Sequence, residues 1–261
     1  MKTTKLVPVL LTAILFIACI NDQFSDTENQ LPTLQKNWNQ TELTSAFYNN
    51  QSLLSHHHID AEKLRSISQQ KGVIKFRFTL GLNLNQELEI NIAGVGQKGS
   101  IVSSFSSVLN TENNLENSIN NLQYSSYTYR APSNATTHLL PYKTAYTYIT
   151  TWEKALSKKQ VETLITYEGE RIRYYSLPKQ IVEDMVASKN VHAIALFLGI
   201  NSNNKLTPVF IQKTKNGSLL LKNDNYYFRT LNNDGNTDPV PDSTEGNIYD
   251  FTEGCPDMCD E

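Results

Sequence analysis

The feature that most constrains this chain is that it matches itself. At an offset of 118 positions, residues 56–100 align without a gap on residues 174–218. Identical residues include Lys71/Lys189, Val73/Val191, Leu80/Leu198, Gly81/Gly199, Asn83/Asn201, Asn85/Asn203 and Leu88/Leu206. Asn is common here, so the apolar positions carry more weight. Ile59, Leu64, Ile67, Phe76, Phe78, Leu82, Ile92 and Ile101 all meet apolar residues in the second copy. Two stretches that bury equivalent faces are the simplest cause of such a pattern.

Each copy predicts the same short run of elements. Asp60 is placed to cap a helix reaching to Gln70, with Leu64 and Ile67 inward; the second copy has Pro178 in the first turn and buries Ile181, Val182, Met185 and Val186. KFRFTL then alternates, with Phe76, Phe78 and Leu80 on one face and Lys75, Arg77 and Thr79 on the other, whereas its counterpart AIALFL is apolar on both faces and belongs deeper. Gly81 and Gly199 are expected at the strand ends, where Asn-x-Asn completes a reverse turn of a hairpin. The return strands are LEINIAG and LTPVFIQ, and Pro208 places the latter at a sheet edge or marks its start. The repeated LGLNLNQEL and LGINSNNKL are thus turns kept for shape.

A further helix is expected ahead of each copy, in TELTSAFYNN and in TAYTYITTWEKALSKKQVETLITYEG, the longer of which has room for two. The expectation is an α+β protein of two tandem modules, residues 35–102 and 138–230. Each has short helices on an antiparallel hairpin, with the question left open whether the hairpins share one sheet. Residues 103–137, rich in Ser and Asn, read as a linker. Residues 231–261 form an acidic Asn/Asp/Pro tail ending in CPDMC.

The N-terminus fixes the compartment expected. Lys2 and Lys5 precede an apolar run from Leu6 to Ile17, too short for a resident membrane helix and suited to a signal peptide of residues 1–18. FIAC has the shape of a lipobox, with Phe16 where such boxes usually carry Leu; Cys19 is then the lipidation site, and cleavage near Ala18 without lipid is the alternative. Acylated Cys19 would hold the protein on the cell envelope, on the outer membrane, with residues 19–34 as a polar tether. Removing residues 1–18 takes two lysines from 23 basic residues and none of the 26 acids, so the mature chain carries a net charge of −5. That balance argues against nucleic acid as a partner. Cys255 and Cys259 remain, an even pair that in an exported protein favours a disulfide across a very small loop.

Ala145, Tyr148, Ile149 and Trp152, then SLPKQIVEDMV, AIALFLGIN, GNIYDF and CPDMC, resemble a family of small uncharacterised exported proteins common in Bacteroidetes. The likeness covers about residues 140–259, with the first module similar to a degenerate copy lacking the Cys tail. The resemblance implies a fold of helices on a hairpin and an envelope location, and carries no activity.

Several patterns could carry chemistry. GVGQKG at Gly94–Gly99 satisfies GxGxxG after a strand, but the second copy reads QKTKNG and no run of βαβ units accompanies it. His56, His57 and His58 could offer imidazoles to zinc, yet consecutive residues of an extended segment point to alternate sides, and their counterparts are Tyr174, Tyr175 and Ser176. Asn232, Asp234, Asn236 and Asp238 offer oxygens at alternate positions around Gly235, as a loose calcium loop does, although the spacing is not that of an EF-hand and a solvated acidic linker has the same composition. Tyr142, Tyr146 and Ile149 fall at helical spacing and read as a core stripe before a sugar platform. No nucleophile elbow, HExxH or phosphate loop occurs in the sequence. The functional expectation is a lipid-anchored envelope protein acting as a non-catalytic interaction or structural module, with an envelope protein as partner and no cofactor. The alternatives are a surface protein binding calcium or glycan weakly, and an envelope enzyme of unknown class.

Overall fold

The computed structural model describes residues 22–50, 54–111, 115–124, 138–158, 161–167, 169–221 and 248–250. In chain order the elements are helices α1 (Asp22–Gln40) and α2 (Leu43–Asn50), strand β1 (Ser55–Asp60), helix α3 (Ala61–Ser68), and strands β2 (Lys75–Leu82), β3 (Leu88–Val95), β4 (Ile101–Ser106) and β5 (Val108–Thr111). Helices α4 (Leu115–Leu122) and α5 (Tyr142–Ser157) follow, then the two-residue strands β6 (Thr166–Tyr167) and β7 (Glu170–Arg171), strand β8 (Tyr174–Pro178), helix α6 (Lys179–Met185), and strands β9 (Ala193–Ile200), β10 (Leu206–Lys213) and β11 (Ile248–Asp250). The protein is α+β, with helices on antiparallel sheets.

The repeat is realised residue for residue. The helix α3 begins 118 positions before α6, β2 matches β9 at both ends, and so does β3 with β10. Ile59 and Leu177, Leu64 and Val182, Ile67 and Met185, Phe76 and Ile194, Phe78 and Leu196, and Ile92 and Phe210 are all buried. Burying a large apolar side chain is worth roughly 1.5–3 kcal/mol, so these matched pairs supply a large part of the drive to a common fold. Asp60 caps α3 as expected, its Oδ1 accepting from the Glu62 and Lys63 amides at 2.7 and 3.1 Å.

The two copies do not, however, fold side by side as closed modules. Each gives its first strand to the other. β1 pairs with β9, with His57 opposite Leu196 and Ile59 opposite Ile194; β8 pairs with β2, with Tyr175 opposite Phe78 and Leu177 opposite Phe76. Adding 118 to β1 and subtracting it from β9 turns one register into the other, so the exchange is a pseudo-twofold one. The hairpins therefore do not share one sheet. The order is β11-β10-β9-β1-β5 in one sheet and β4-β3-β2-β8 in the other.

The sheets face each other across the main core. Phe76, Phe78, Leu80 and Leu82 from β2 meet Ile194, Leu196, Leu198 and Ile200 from β9 there, and the Phe78 and Phe210 rings touch at 5.1 Å between centroids. The alternate positions of β9 and β10, Ala195, Phe197, Val209 and Ile211, form a second core beneath α4 and α5. On the other outer face α1 lies against β2. Its Leu34 and Trp38, four residues apart, are both buried, and the Phe47 ring of α2 stands edge-on to both Trp38 and Trp152, at 6.1 and 5.2 Å.

Four local expectations are corrected. Gly81 and Gly199 lie within strands; the residues at positive φ are Gln86 and Asn204, and the turns are held by Asn83 and Asn201, whose Oδ1 atoms each accept two backbone amides. The glycines are needed for close approach instead, since a Cβ at Gly81 would lie 2.5 Å from Leu34 Cβ and one at Gly199 would lie 3.0 Å from Tyr148 Cβ. Pro208 is not in an edge strand, because β10 lies between β9 and β11; β11 covers only Val209–Ile211, and the Leu206 amide on the same outer side bonds Leu164 O, so the imino nitrogen faces the uncovered stretch. The stretch read as a linker contains β5 and α4, with Leu115, Ile119 and Leu122 buried at helical spacing, and helix α1 starts inside the expected tether. In both segments a few well-spaced apolar residues outweigh a polar composition.

Candidate functional site

Cys19, Cys255, Cys259, Asn232, Asp234, Asn236 and Asp238 lie outside the described residues. The three histidines are in β1, and their side chains alternate as a strand requires. His56 is buried, with Nε2 3.2 Å from Lys213 Nζ and its ring 5.4 Å from that of Phe197. His57 is buried on the opposite face, with Nδ1 3.0 Å from Ser107 Oγ. Among the described residues no group of three or more His, Cys, Asp or Glu side chains is placed to hold a metal ion. GVGQKG closes in a single 3-10 turn, Gln97–Gly99, and the segment after it is strand β4, so no α-helix starts at those glycines. Tyr142 and Ile149 are buried in the second core and Tyr146 packs against it, as the helical spacing indicates.

Two concavities bring polar side chains together. The first is enclosed beneath α5, lined by Ser55, His57, Trp152 and Glu153 among others, and measures about 10 Å³. That is room for a water-sized molecule and no more. His57 Nε2 and Glu153 Oε1 are buried here with no hydrogen-bond partner among the described residues. Burial pushes Glu153 up to about 7, with the Glu116 carboxylate adding to the effect, and burial with the neighbouring His56 pushes His57 down to about 3. Both groups are held in their neutral forms near pH 6, the state a low-dielectric site favours.

The second is an open cleft of about 670 Å³ at the C-terminal end of α5, between that helix, the turn at 161–165 and the β9–β10 hairpin. The size suits a small-molecule site. Ala155, Val161, Leu164 and Ile200 supply apolar walls; Thr44, Thr151, Lys154, Lys158, Thr163 and Asn204 supply the polar ones. Glu162 also lines it, but both its oxygens accept from Arg171 Nη2, at 2.9 and 3.0 Å, and Oε1 accepts the Leu43 amide, which caps α2. Arg171 in turn donates to the carbonyls of Trp38, in the last turn of α1, and of Thr41, just past its end.

The pseudo-symmetry gives this cleft a control. Helices α1 and α5 correspond at an offset of 114, which matches Trp38 to Trp152 and Leu34, the residue against Gly81, to Tyr148, the residue against Gly199. By the two offsets, Thr151, Ala155, Ile200 and Asn204 of the cleft correspond to Asn37, Thr41, Leu82 and Gln86. In the first half those four are clasped: Asn37 Nδ2 donates to Leu82 O at 3.1 Å and Thr41 Oγ1 to Gln86 Oε1 at 3.0 Å. In the second half Thr151 Oγ1 turns back to Thr147 O at 2.7 Å and Ala155 has no polar group to offer. The same gap between helix and hairpin is bridged in one copy and open in the other.

Sequence reasoning missed the cleft because the helices and the strands keep different offsets. The difference of four residues is about one helical turn, so it preserves the buried face while hiding the match from an ungapped comparison. The spacing of the two tryptophans was the available signal. Compared with protein-family models, with curated proteins and with solved structures, the chain matches none of them.

Proposed function

We propose that this is a lipid-anchored protein of the cell envelope whose work is non-catalytic binding, done in the cleft at the end of α5. The observation that carries the reading is the contrast between the halves: on a frame repeated register for register, the clasp that shuts the first gap is replaced in the second by Thr151 and Ala155. The enclosed His57–Glu153 cavity has no room for a substrate and favours binding over catalysis as the role of the described portion. Anchoring is supported by the signal-like run Leu6–Ile17 and the FIAC box ending in Cys19. No helix among the described residues is long and apolar enough to cross a membrane.

Two measurements test this. Replacing Cys19→Ser is expected to move the protein from the detergent phase to the aqueous phase of a phase-separated lysate; retention in detergent rules out lipid at that residue. The full chain is expected to gain thermal stability from a small-molecule extract of envelopes. The triple substitution Thr151→Asn, Ala155→Thr, Asn204→Gln rebuilds the first half's clasp and should abolish that gain. An equal gain in the clasped protein places binding elsewhere.

A further inference from the structure

We infer that the cleft takes a carboxylate-headed aliphatic chain, an inference that rests on reading the cleft as a binding site. Its walls divide by chemistry. Ala155, Val161, Leu164 and Ile200, each less than a tenth exposed, present only aliphatic edges at its floor. Among the described residues no aromatic side chain lines the cleft, so a sugar ring finds no stacking face there, while an alkyl chain finds one that matches it in kind. Lys154, in the last turn of α5, and Lys158, which caps that helix in a helical backbone conformation, are four residues apart and so lie on one side of it, both exposed and both on the rim. Neither has a salt-bridge partner among the described residues. The one acidic residue in the wall, Glu162, is held by Arg171, and the nearby Lys205 is tied to the carbonyls of Thr163 and Thr166 at 3.2 and 2.6 Å. The rim is therefore cationic on a chain whose formal charge is −3. An anionic head set between the two ammonium groups, with its apolar body over the aliphatic floor, satisfies both halves of the cleft. A neutral chain satisfies one.

Decanoate and decanol separate these contributions, because they share the alkyl body and differ in the charged head. Titrated into the full chain at low salt, decanoate is expected to bind more tightly than decanol by a factor on the order of ten, as two partly exposed ion pairs allow, and to lose most of that margin at high salt. The double substitution Lys154→Gln, Lys158→Gln should lower decanoate affinity to that of decanol while leaving decanol affinity and the melting temperature unchanged. The clasped triple variant, which fills the cleft without touching either lysine, should bind neither. Equal affinity for decanoate and decanol in the native protein overturns the assignment of an anionic head but leaves the cleft as a binding site. Binding of decanoate that survives in the clasped variant overturns the inference and the location together. Failure of both compounds to bind overturns the aliphatic assignment, and the envelope-extract experiment then judges the cleft by itself.

Discussion

Substituting Gly81→Ala and Gly199→Ala should give unequal results, although the two glycines are symmetry mates in equivalent strands. A Cβ added at Gly81 would lie 2.5 Å from Leu34 Cβ and 3.1 and 3.2 Å from the Leu34 backbone carbon and oxygen. Carbon atoms in favourable contact sit about 3.5–4.0 Å apart, so α1 would have to back away from β2 by about 1 Å along its length; no side-chain rotation relieves a clash with helix backbone and Cβ. Overpacking of that kind costs about 1–3 kcal/mol. At Gly199 the nearest atoms are Tyr148 Cβ at 3.0 Å, Val209 Cγ2 at 3.1 Å and the Tyr148 carbonyl carbon at 3.2 Å. A shift of a few tenths of an ångström accommodates these, and the loss of unfolded-state freedom on replacing Gly favours Ala by about 0.4–1 kcal/mol. Gly199→Ala is therefore expected within about 1 kcal/mol of the native protein, and Gly81→Ala about 1–3 kcal/mol below it. Urea unfolding monitored by tryptophan fluorescence suits the test, because Trp38 and Trp152 are both buried and sit on the two helices concerned. A neutral Gly81→Ala, or a Gly199→Ala that is the worse of the two, would refute the claim that close helix-on-strand approach is what these positions are kept for.

Arg65 ties α3 to the other copy: Nε donates to Val186 O at 2.8 Å, and Nη2 to Ser188 O and Val191 O at 2.9 and 2.8 Å. Arg65→Ala should cost about 2–4 kcal/mol in urea unfolding, with Arg65→Lys recovering only part of it, since an ammonium cannot reproduce the fork. Because each half completes the other's sheet, cutting the chain at a protease site introduced within 125–137 should leave two fragments that co-elute in gel filtration; separation at micromolar concentration would contradict the strand exchange. Stability should also be greatest at about pH 4, because between about 4 and 6.5 the two buried carboxylates outweigh the one buried imidazole, and should fall on both sides. His57 is depressed from 6.5 to about 3, so the unfolded chain binds the extra proton between those values and stability is lost as pH drops through that window. Glu153 and Asp250 are raised by burial to about 7, so the native state holds the extra protons and stability declines as pH rises from about 4 to 7. Melting temperatures against pH should show His57→Gln flattening the acid limb and Glu153→Gln the other.

How much of this was legible beforehand can be seen from single residues. Asp60 followed by Leu64 and Ile67 announced a capped helix with one buried face, and that information is local: a side-chain oxygen two or three residues from open amides, and apolar groups at helical spacing. The matching apolar positions at offset 118 announced that both stretches fold alike, because equivalent burial leaves equivalent side chains. Asn83 and Asn201 of the repeated segments hold the turns through side-chain bonds to the turn backbone, as their type indicates, whereas Gly81 and Gly199 are strand residues and not turn residues. Positive φ can be recognised from a residue type, whereas a strand glycine kept for the approach of a helix some fifty residues away in the chain depends on what the helix does.

What the sequence by itself determined is the set of elements and their likeness, since periodicity and capping act over one or two turns of chain. Only the tertiary structure decided which strand completes which sheet, because the backbone groups of β1 can be satisfied by any adjacent strand and its own side chains do not say whether that is β2 or β9. The same holds for the cleft. It exists because Thr151 and Ala155 do not reach across to Ile200 and Asn204, a relation between residues some fifty positions apart that becomes physical only when the helix is laid on the hairpin.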